Sequence, residues 1–379
     1  MSENQQVQNV EIYPSNQKST YNAFDTLDFV IDGFENRSIL PNSICIEGDF
    51  RTNMDAAGNR NTLSGVYFDD KAGLHSLIDS VFVETQNQNQ IESITNYPRM
   101  ISMKNSANMS RDDIVSLDKI CECVLPSRTH TNEITTGSNV PSAGATALNN
   151  RDIPFSLKPF ISVNRTQTSI PFTKTGSIKL SIILARNNDF FYGLNNLANS
   201  GNAFEYILSN IVLKCKTVPL IPSHNSPIIL NVVYSIKNSI NSSFMNISAK
   251  VPSIVKSVNA SFMKQTQEGS PDQNVLEQQI LPDLQSLQFY FNDAVSGSNI
   301  TYTIDTINEM KKRYLESWGG VMPRNAVSSE LSNTIFGIGT DFKANVPLMN
   351  DSFNIQIRSG ANNNDSYLIY LYFYGLVQI

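Results

Sequence analysis

The sequence predicts an all-β sandwich of ten or more antiparallel strands joined by long polar loops. Three observations predict it. Apolar and polar residues alternate strictly in stretches from residue 27 onward, helix-period patterns are few, and the composition favours turns over helix interiors. Asn and Ser supply 44 residues each of the 379, and both prefer caps and loop hydrogen bonds to mid-helix positions. Charged residues make up 16% of the chain, against roughly 25% in an average globular protein, so neutral polar side chains stand where charge would be usual.

Taken in order, residues 1–20 carry no apolar periodicity and read as an arm outside the core, with Glu3, Glu11 and Lys18 as its charges. Leu27, Phe29 and Ile31 then alternate with Asp28, Val30 and Asp32, and Ile44, Ile46 and Phe50 alternate with Cys45, Glu47 and Asp49. Each set predicts a strand with one face buried. The same reading covers Phe155, Leu157, Ile161 and Val163 around Pro159. It also covers Ile178 to Leu184, Ile211 to Cys215, Leu287 to Phe291, and Phe353 to Ile357. The last segment, Tyr367 to Leu376, is apolar or aromatic throughout. That pattern predicts a central closing strand buried on both faces. Asn/Ser/Gly/Thr-rich stretches at 133–150, 195–202 and 359–366 read as loops long enough to serve contacts.

Three segments carry helical signals. Thr306 to Trp318 has a capping box of Thr306 and Glu309, one face of Ile307, Met310, Tyr314 and Trp318, and a Gly319-Gly320 stop. Asp70 to Ser80 and Ser200 to Leu208 are weaker. The sum is the signature of a jelly roll or related sandwich.

Composition and motifs exclude several classes of function. With a net charge of −6 and no basic run longer than Lys311-Lys312-Arg313, a phosphate-tracking surface is not expected, so nucleic acid is not a predicted partner. No stretch approaches the roughly 20 apolar residues of a membrane span, and the first residues lack the features of a signal peptide, so synthesis in a reducing cytosol is expected. Cys45, Cys121, Cys123 and Cys215 lack zinc-like spacing and read as inert thiols. His75, His130 and His224 lie far apart with no metal motif around them. Gly337-Ile338-Gly339 lacks the third glycine of a nucleotide loop and reads as a flexible turn. Asp69-Asp70 reads as a solvated turn after Val66-Tyr67-Phe68 rather than a calcium site, and Asn-x-Ser triplets such as Asn36-Arg37-Ser38 and Asn259-Ala260-Ser261 read as chance matches. Tyr367, Tyr370, Tyr372, Phe373 and Tyr374 read as core or interface rather than a stacking platform. No catalytic, cofactor-binding or metal residue is assigned, no cofactor is expected, and the chain is not read as an enzyme.

One region resembles a known family. Tyr21 to Arg99 contains Asp28-Phe29-Val30-Ile31, then Leu40-Pro41-Asn42-Ser43-Ile44-Cys45-Ile46-Glu47-Gly48. It continues through Val66-Tyr67-Phe68-Asp69-Asp70-Lys71-Ala72-Gly73-Leu74-His75 to Ile91-Glu92-Ser93-Ile94-Thr95-Asn96-Tyr97-Pro98-Arg99. This run, with the closing strand around Leu368 to Leu376, resembles the penton, or minor capsid, proteins of virophages and Polinton-like elements, those of the Sputnik type above all. The likeness covers about a third of the chain and includes no catalytic signature. It implies a vertical single jelly roll assembled as a homopentamer at the icosahedral vertex of a virion, with major capsid protein capsomers as its other partners.

One jelly roll needs roughly 150 to 200 residues, so this chain has chain to spare. The expected division is an arm at 1–20, the first part of the roll at 21–160, a β-rich insertion at 161–320 and the closing strands at 321–379. The alternative is a double jelly roll, which would make the chain a major capsid protein forming trimers. A carbohydrate-binding sandwich is the alternative outside the capsid class. It predicts an exposed Trp or Tyr pair in a loop, whereas Trp318, the one Trp, sits on the capped amphipathic helix.

Overall fold

A computed structural model describes residues 7–33, 36–52, 66–69, 71–87, 90–108, 122, 132–133, 152–190, 192–193, 205–220, 227–250, 254–270, 274–276, 284–291, 300–303, 307–319, 337–347, 352–360 and 366–379. Strands in the first 220 residues are β1 (Gln8–Ile12), β2 (Thr20–Tyr21), β3 (Thr26–Ile31), β4 (Arg37–Ile39), β5 (Cys45–Thr52), β6 (Val66–Phe68), β7 (Ile78–Thr85), β8 (Gln90–Thr95), β9 (Asn132–Glu133), β10 (Ile153–Leu157), β11 (Ile170–Pro171), β12 (Ile178–Leu184), β13 (Tyr192–Gly193) and β14 (Tyr206–Pro219). Those that follow are β15 (Ile229–Ile240), β16 (Phe244–Lys250), β17 (Ile254–Lys264), β18 (Leu284–Phe291), β19 (Ile300–Thr303), β20 (Ile338–Pro347), β21 (Ser352–Ser359) and β22 (Tyr367–Gln378).

The last eight strands pair in a diagnostic order. One set runs β15-β22-β17-β20 and the other β16-β21-β18-β19. Lettered B to I in chain order, these are B-I-D-G and C-H-E-F, the two sheets of a jelly roll. The first set continues past β15 through β8, β7 and β12 to β3, making one eight-stranded sheet. The seam of that sheet is narrow: β8 and β15 pair in parallel only at Ser93 and Tyr234. A further sheet, β10-β5-β14-β4-β11 with β1 and β2 against β14, faces the early strands. Thus β1, within the segment read as an arm, is an antiparallel partner of β14.

The closing strand divides two hydrophobic cores. Leu368, Tyr370, Tyr372 and Tyr374 belong to one cluster, with the buried residues of the early strands. Tyr367, Ile369, Leu371 and Phe373 belong to the other, inside the last eight strands. Because side chains alternate faces along a strand, a wall between two cores must be apolar at odd and even positions alike. That is the physical reason for the unbroken aromatic run.

Other alternating segments form strands as expected, with Leu27, Phe29, Ile31, Ile178, Leu180 and Ile182 all buried. The change of phase along β14, where Tyr206 and Leu208 are buried and then Ile211, Leu213 and Cys215, comes from a bulge. Its register against β5 shifts between Ser209 and Val212, and Asn210 takes φ 53°.

Besides the arm, whose Val10 and Ile12 pack against the core, three expectations change. Asp70 to Ser80 is not a helix: Gly73 with φ 56° opens a single 3-10 turn over Gly73–Leu77, and the β-branched residues after it enter β7. Over Ser200 to Leu208, Tyr206 onward is strand because it continues the alternation of β14; 200–204 lie outside the described residues. Ile161 to Val163 leaves the strand for a helical turn, Ser162–Arg165, held by Asn164, which donates to and accepts from the backbone of Ile44.

The expected helix forms as Ile307–Gly319, with Trp318 buried and 5.0 Å from the Tyr374 ring; Thr306 of the capping box lies outside the described residues. A helix over Tyr97–Asn108 has no sequence stripe to announce it. Nearly all of it is buried, including Arg99, Ser102 and Asn105 as well as Met100, Ile101 and Met103, so it has no polar face to contrast with an apolar one. Among the described residues no helix is long and apolar enough to cross a membrane.

Candidate functional site

The residues singled out by type turn out to be framework. His75 is buried, with Nδ1 3.1 Å from the Tyr97 hydroxyl and Nε2 3.3 Å from Glu122 Oε2. Tyr97 Oη already accepts the Phe160 N–H at 2.8 Å. Its own proton is therefore directed at Nδ1, which leaves Nε2–H to donate to Glu122. Burial pushes the Tyr97 phenol far above its ordinary range. His130 and His224 lie outside the described residues, as do Cys121 and Cys123. No cluster of three metal-ligating side chains occurs among the described residues.

Asp69 is buried rather than solvated. Its Oδ1 accepts the N–H groups of Lys71 and Ala72 at 3.0 and 2.6 Å, and its Oδ2 accepts Asn274 Nδ2 at 2.7 Å. It closes its own turn and ties that turn to a distant loop; Asp70 lies outside the described residues. Gly337-Ile338-Gly339 is no flexible turn either. Gly339 pairs with Asn259 within the sheet, and a Cβ there would lie 2.2 Å from Ser317 Oγ and 2.3 Å from Asn259 Oδ1. Glycine is required because the helix Ile307–Gly319 packs directly on the strand.

Burial raises the Cys215 thiol to about 11. At neutral pH it is an inert core group. The aromatic residues Tyr367, Tyr370, Tyr372, Phe373 and Tyr374 are all buried, as is Trp318, so they present no exposed platform for sugar or bases.

The most elaborate polar constellation lies at the seam between early and late strands, and no sequence motif marks it. Glu92 on β8 is 0% exposed. Its Oε2 accepts the Ser162 N–H at 2.6 Å, and its Oε1 accepts the Val233 N–H of β15 at 2.8 Å and the Arg165 guanidinium. Arg165 also donates to the carbonyls of Phe160 and Asn231, each at 2.8 Å. Beside it the Tyr234 hydroxyl donates to Ile91 O at 2.6 Å, and Ser235 Oγ accepts the Thr95 N–H at 2.6 Å. A parallel pairing one residue long supplies few backbone bonds, so these side chains hold β8 to β15. Nothing in the sequence signals it, since Glu92 stands among Gln90, Ser93, Thr95 and Asn96, where a carboxylate looks ordinary.

Where β8 ends, at Thr95, lies a cleft of about 420 Å³. Two ion pairs line it, Arg186–Asp189 at 2.6 Å and Lys237–Glu268. Large apolar side chains that are exposed include Phe24, which lines the cleft, and Val7, Tyr13, Val30, Ile229 and Phe244. Four of the six come from the first thirty residues.

No family model matches the chain, and no curated protein does. Solved structures do resemble it. The Faustovirus major capsid protein superposes with a TM-score of 0.61 at 8% identity, covering 99% of this chain and 90% of that one. PBCV-1 VP54, as fitted into a reconstruction of the virophage Sputnik, gives 0.56 at 12% identity over 99% of this chain and 94% of its own. A chain of the Sputnik virophage gives 0.52 at 10% identity over 99% and 87%. Likeness of this extent at such low identity establishes architecture: the chain has the jelly-roll fold found in viral capsid proteins.

Proposed function

We propose that this chain is a structural capsid protein, a shell subunit whose two jelly rolls stand side by side and which assembles with copies of itself into trimeric capsomers of a virion. One observation carries the reading. Residues 229–378 contain all eight strands of a jelly roll in their proper order, which favours a second roll over an insertion spanning 161–320. The division we propose lies between β14 and β15. The name of the Faustovirus protein and the coverage of nearly its whole length point the same way.

A pentameric vertex subunit is the second reading, favoured by the likeness of Tyr21 to Arg99 to virophage pentons. In that case five copies form a ring, and the surrounding partners are major capsid protein capsomers. Either role uses the same chemistry. A subunit packed against copies of itself pays desolvation for every charge at a contact, and neutral Asn, Ser and Thr supply hydrogen bonds across wet interfaces at lower cost.

Size-exclusion chromatography with light scattering on the 42.2 kDa chain tests both. A trimer supports the capsomer and a pentamer supports the vertex. A chain that stays monomeric at every concentration, in capsid-like salt and with shell protein added, sinks both.

A further inference from the structure

The cleft at the seam contains an imbalance that the fold does not use. Arg99 stands in its wall at 2% exposure, with its guanidinium 4.5 Å from the Tyr370 ring centre. Nη2 donates to Met263 Sδ at 3.1 Å and to the Val275 carbonyl, while Nη1 has no hydrogen-bond partner. Among the described residues Arg99 makes no ion pair. Asp79 lines the same cleft and accepts the Ser80 hydroxyl at 2.6 Å; its charge is felt by Arg186, but among the described residues it makes no ion pair at contact distance. A buried guanidinium with one nitrogen unpaired and no carboxylate at contact distance is costly unless something else accepts from it.

Two further features converge on this place. β15 is paired with β22 along its whole length but with β8 only at Tyr234. Past Tyr234 the second edge of β15 has no strand beside it among the described residues, Lys237 from this stretch lines the cleft, and such an edge accepts an extended peptide. At the rim, Phe24 takes φ 67° and leaves its ring 67% exposed. A left-handed backbone at a bulky residue is unfavourable, and here it turns an aromatic side chain outward.

We infer that this cleft is a docking site for an extended, uncharged segment of a second copy of this chain. The peptide or carboxamide oxygen is received by Arg99, an N–H by Asp79, the strand edge of β15 aligns the backbone, and Phe24 covers it. The choice of occupant follows from charge. Because Arg186–Asp189 and Lys237–Glu268 already neutralise each other, the cleft offers one donor and one acceptor end and disfavours a charged ligand. The chain's own Asn- and Ser-rich segments have that chemistry, and a cyclic assembly needs two different surfaces to meet. The inference rests on the capsid-subunit reading, since its occupant is another subunit.

The experiment compares full-length wild type with Arg99→Met, Asp79→Asn and Phe24→Gly. Each is assayed for unfolding midpoint as monomer and for self-association by sedimentation, together with amide exchange at 236–240. The expected result is monomer stability close to wild type, with Phe24→Gly no less stable, and association weakened about tenfold or more in each variant. In wild type, amides at 236–240 exchange more slowly once associated. Variants that associate like wild type, or amides whose exchange ignores association, overturn the docking site and leave the capsid reading standing. A wild-type chain that never associates overturns both. Should Arg99→Met fail to fold, Phe24→Gly on an exposed turn and the exchange measurement still decide.

Discussion

Replacing Glu92 by Ala tests whether the seam is held by its buried carboxylate. Three donors lose their acceptor at once: the Ser162 and Val233 N–H groups and the Arg165 guanidinium, whose side chain is 5% exposed. Breaking a buried ion pair from one side costs about 3–5 kcal/mol, because the surviving charge stays desolvated. The two stranded N–H groups belong to the same penalty and are not added to it. For a chain of this length unfolding as one unit, about 4 kcal/mol lowers the melting temperature by about 5 °C. The assay is urea denaturation followed by far-ultraviolet circular dichroism and by fluorescence of Trp318, which is buried against Tyr374. A control separates charge from packing. The double variant Glu92→Leu with Arg165→Met removes both charges and recovers most of the loss, leaving the two N–H groups as the residual cost. A single-variant loss below about 1 kcal/mol, or a double variant worse than both singles added, refutes the reasoning.

Alkaline pH supplies a second test. Burial raises the phenols of Tyr97, Tyr206, Tyr234, Tyr314 and Tyr372 far above their ordinary value and that of Tyr370 to about 12. Groups with raised folded-state values contribute stability that is complete below about pH 10 and lost as pH rises toward and past about 12. Because an unfolded phenol is only half ionised at about pH 10, each such group removes about 1 kcal/mol between pH 10 and 11, and six remove about 6 kcal/mol, comparable to the whole stability of a domain. The buried phenols are expected to ionise only together with loss of circular dichroism, and the full phenolate absorbance of all tyrosines in a chain that is still folded contradicts it. Gly339→Ala is the third: its methyl group meets Ser317 and Asn259, so a loss of about 1–3 kcal/mol is expected in thermal unfolding. Pairing it with Ser317→Gly should restore part of the loss.

The strands with one wet face were legible from sequence because their reading needs only the two-residue period. Leu27, Phe29 and Ile31 tell their own orientation. The strand β22 was equally legible, since a run apolar at every position has no side to turn to water. The helix at Tyr97–Asn108 was not legible, because complete burial erases the polar face that marks a helix. The loops read around Asp69 and Gly339 misled for a related reason. Both residue types suit exposed turns, and what distinguishes them here is Asn274 and Ser317, which approach from elsewhere in the chain.

The candidate site divides the same way. Nothing near Glu92 in sequence names Arg165 or Val233, and nothing near Arg99 names Asp79 or Phe24. By itself the sequence determined that this is a β-sandwich poor in charge, closed by a strand with no wet side, and without a motif for chemistry. Tertiary structure alone decided that β22 separates two cores, that the last eight strands close a jelly roll of their own, and that early and late strands join at one narrow seam. Alternation is a local property of a strand and says which face is buried. Which strand lies alongside is settled by pairings across a hundred or more residues, and those depend on register, bulges and partners that no local pattern records.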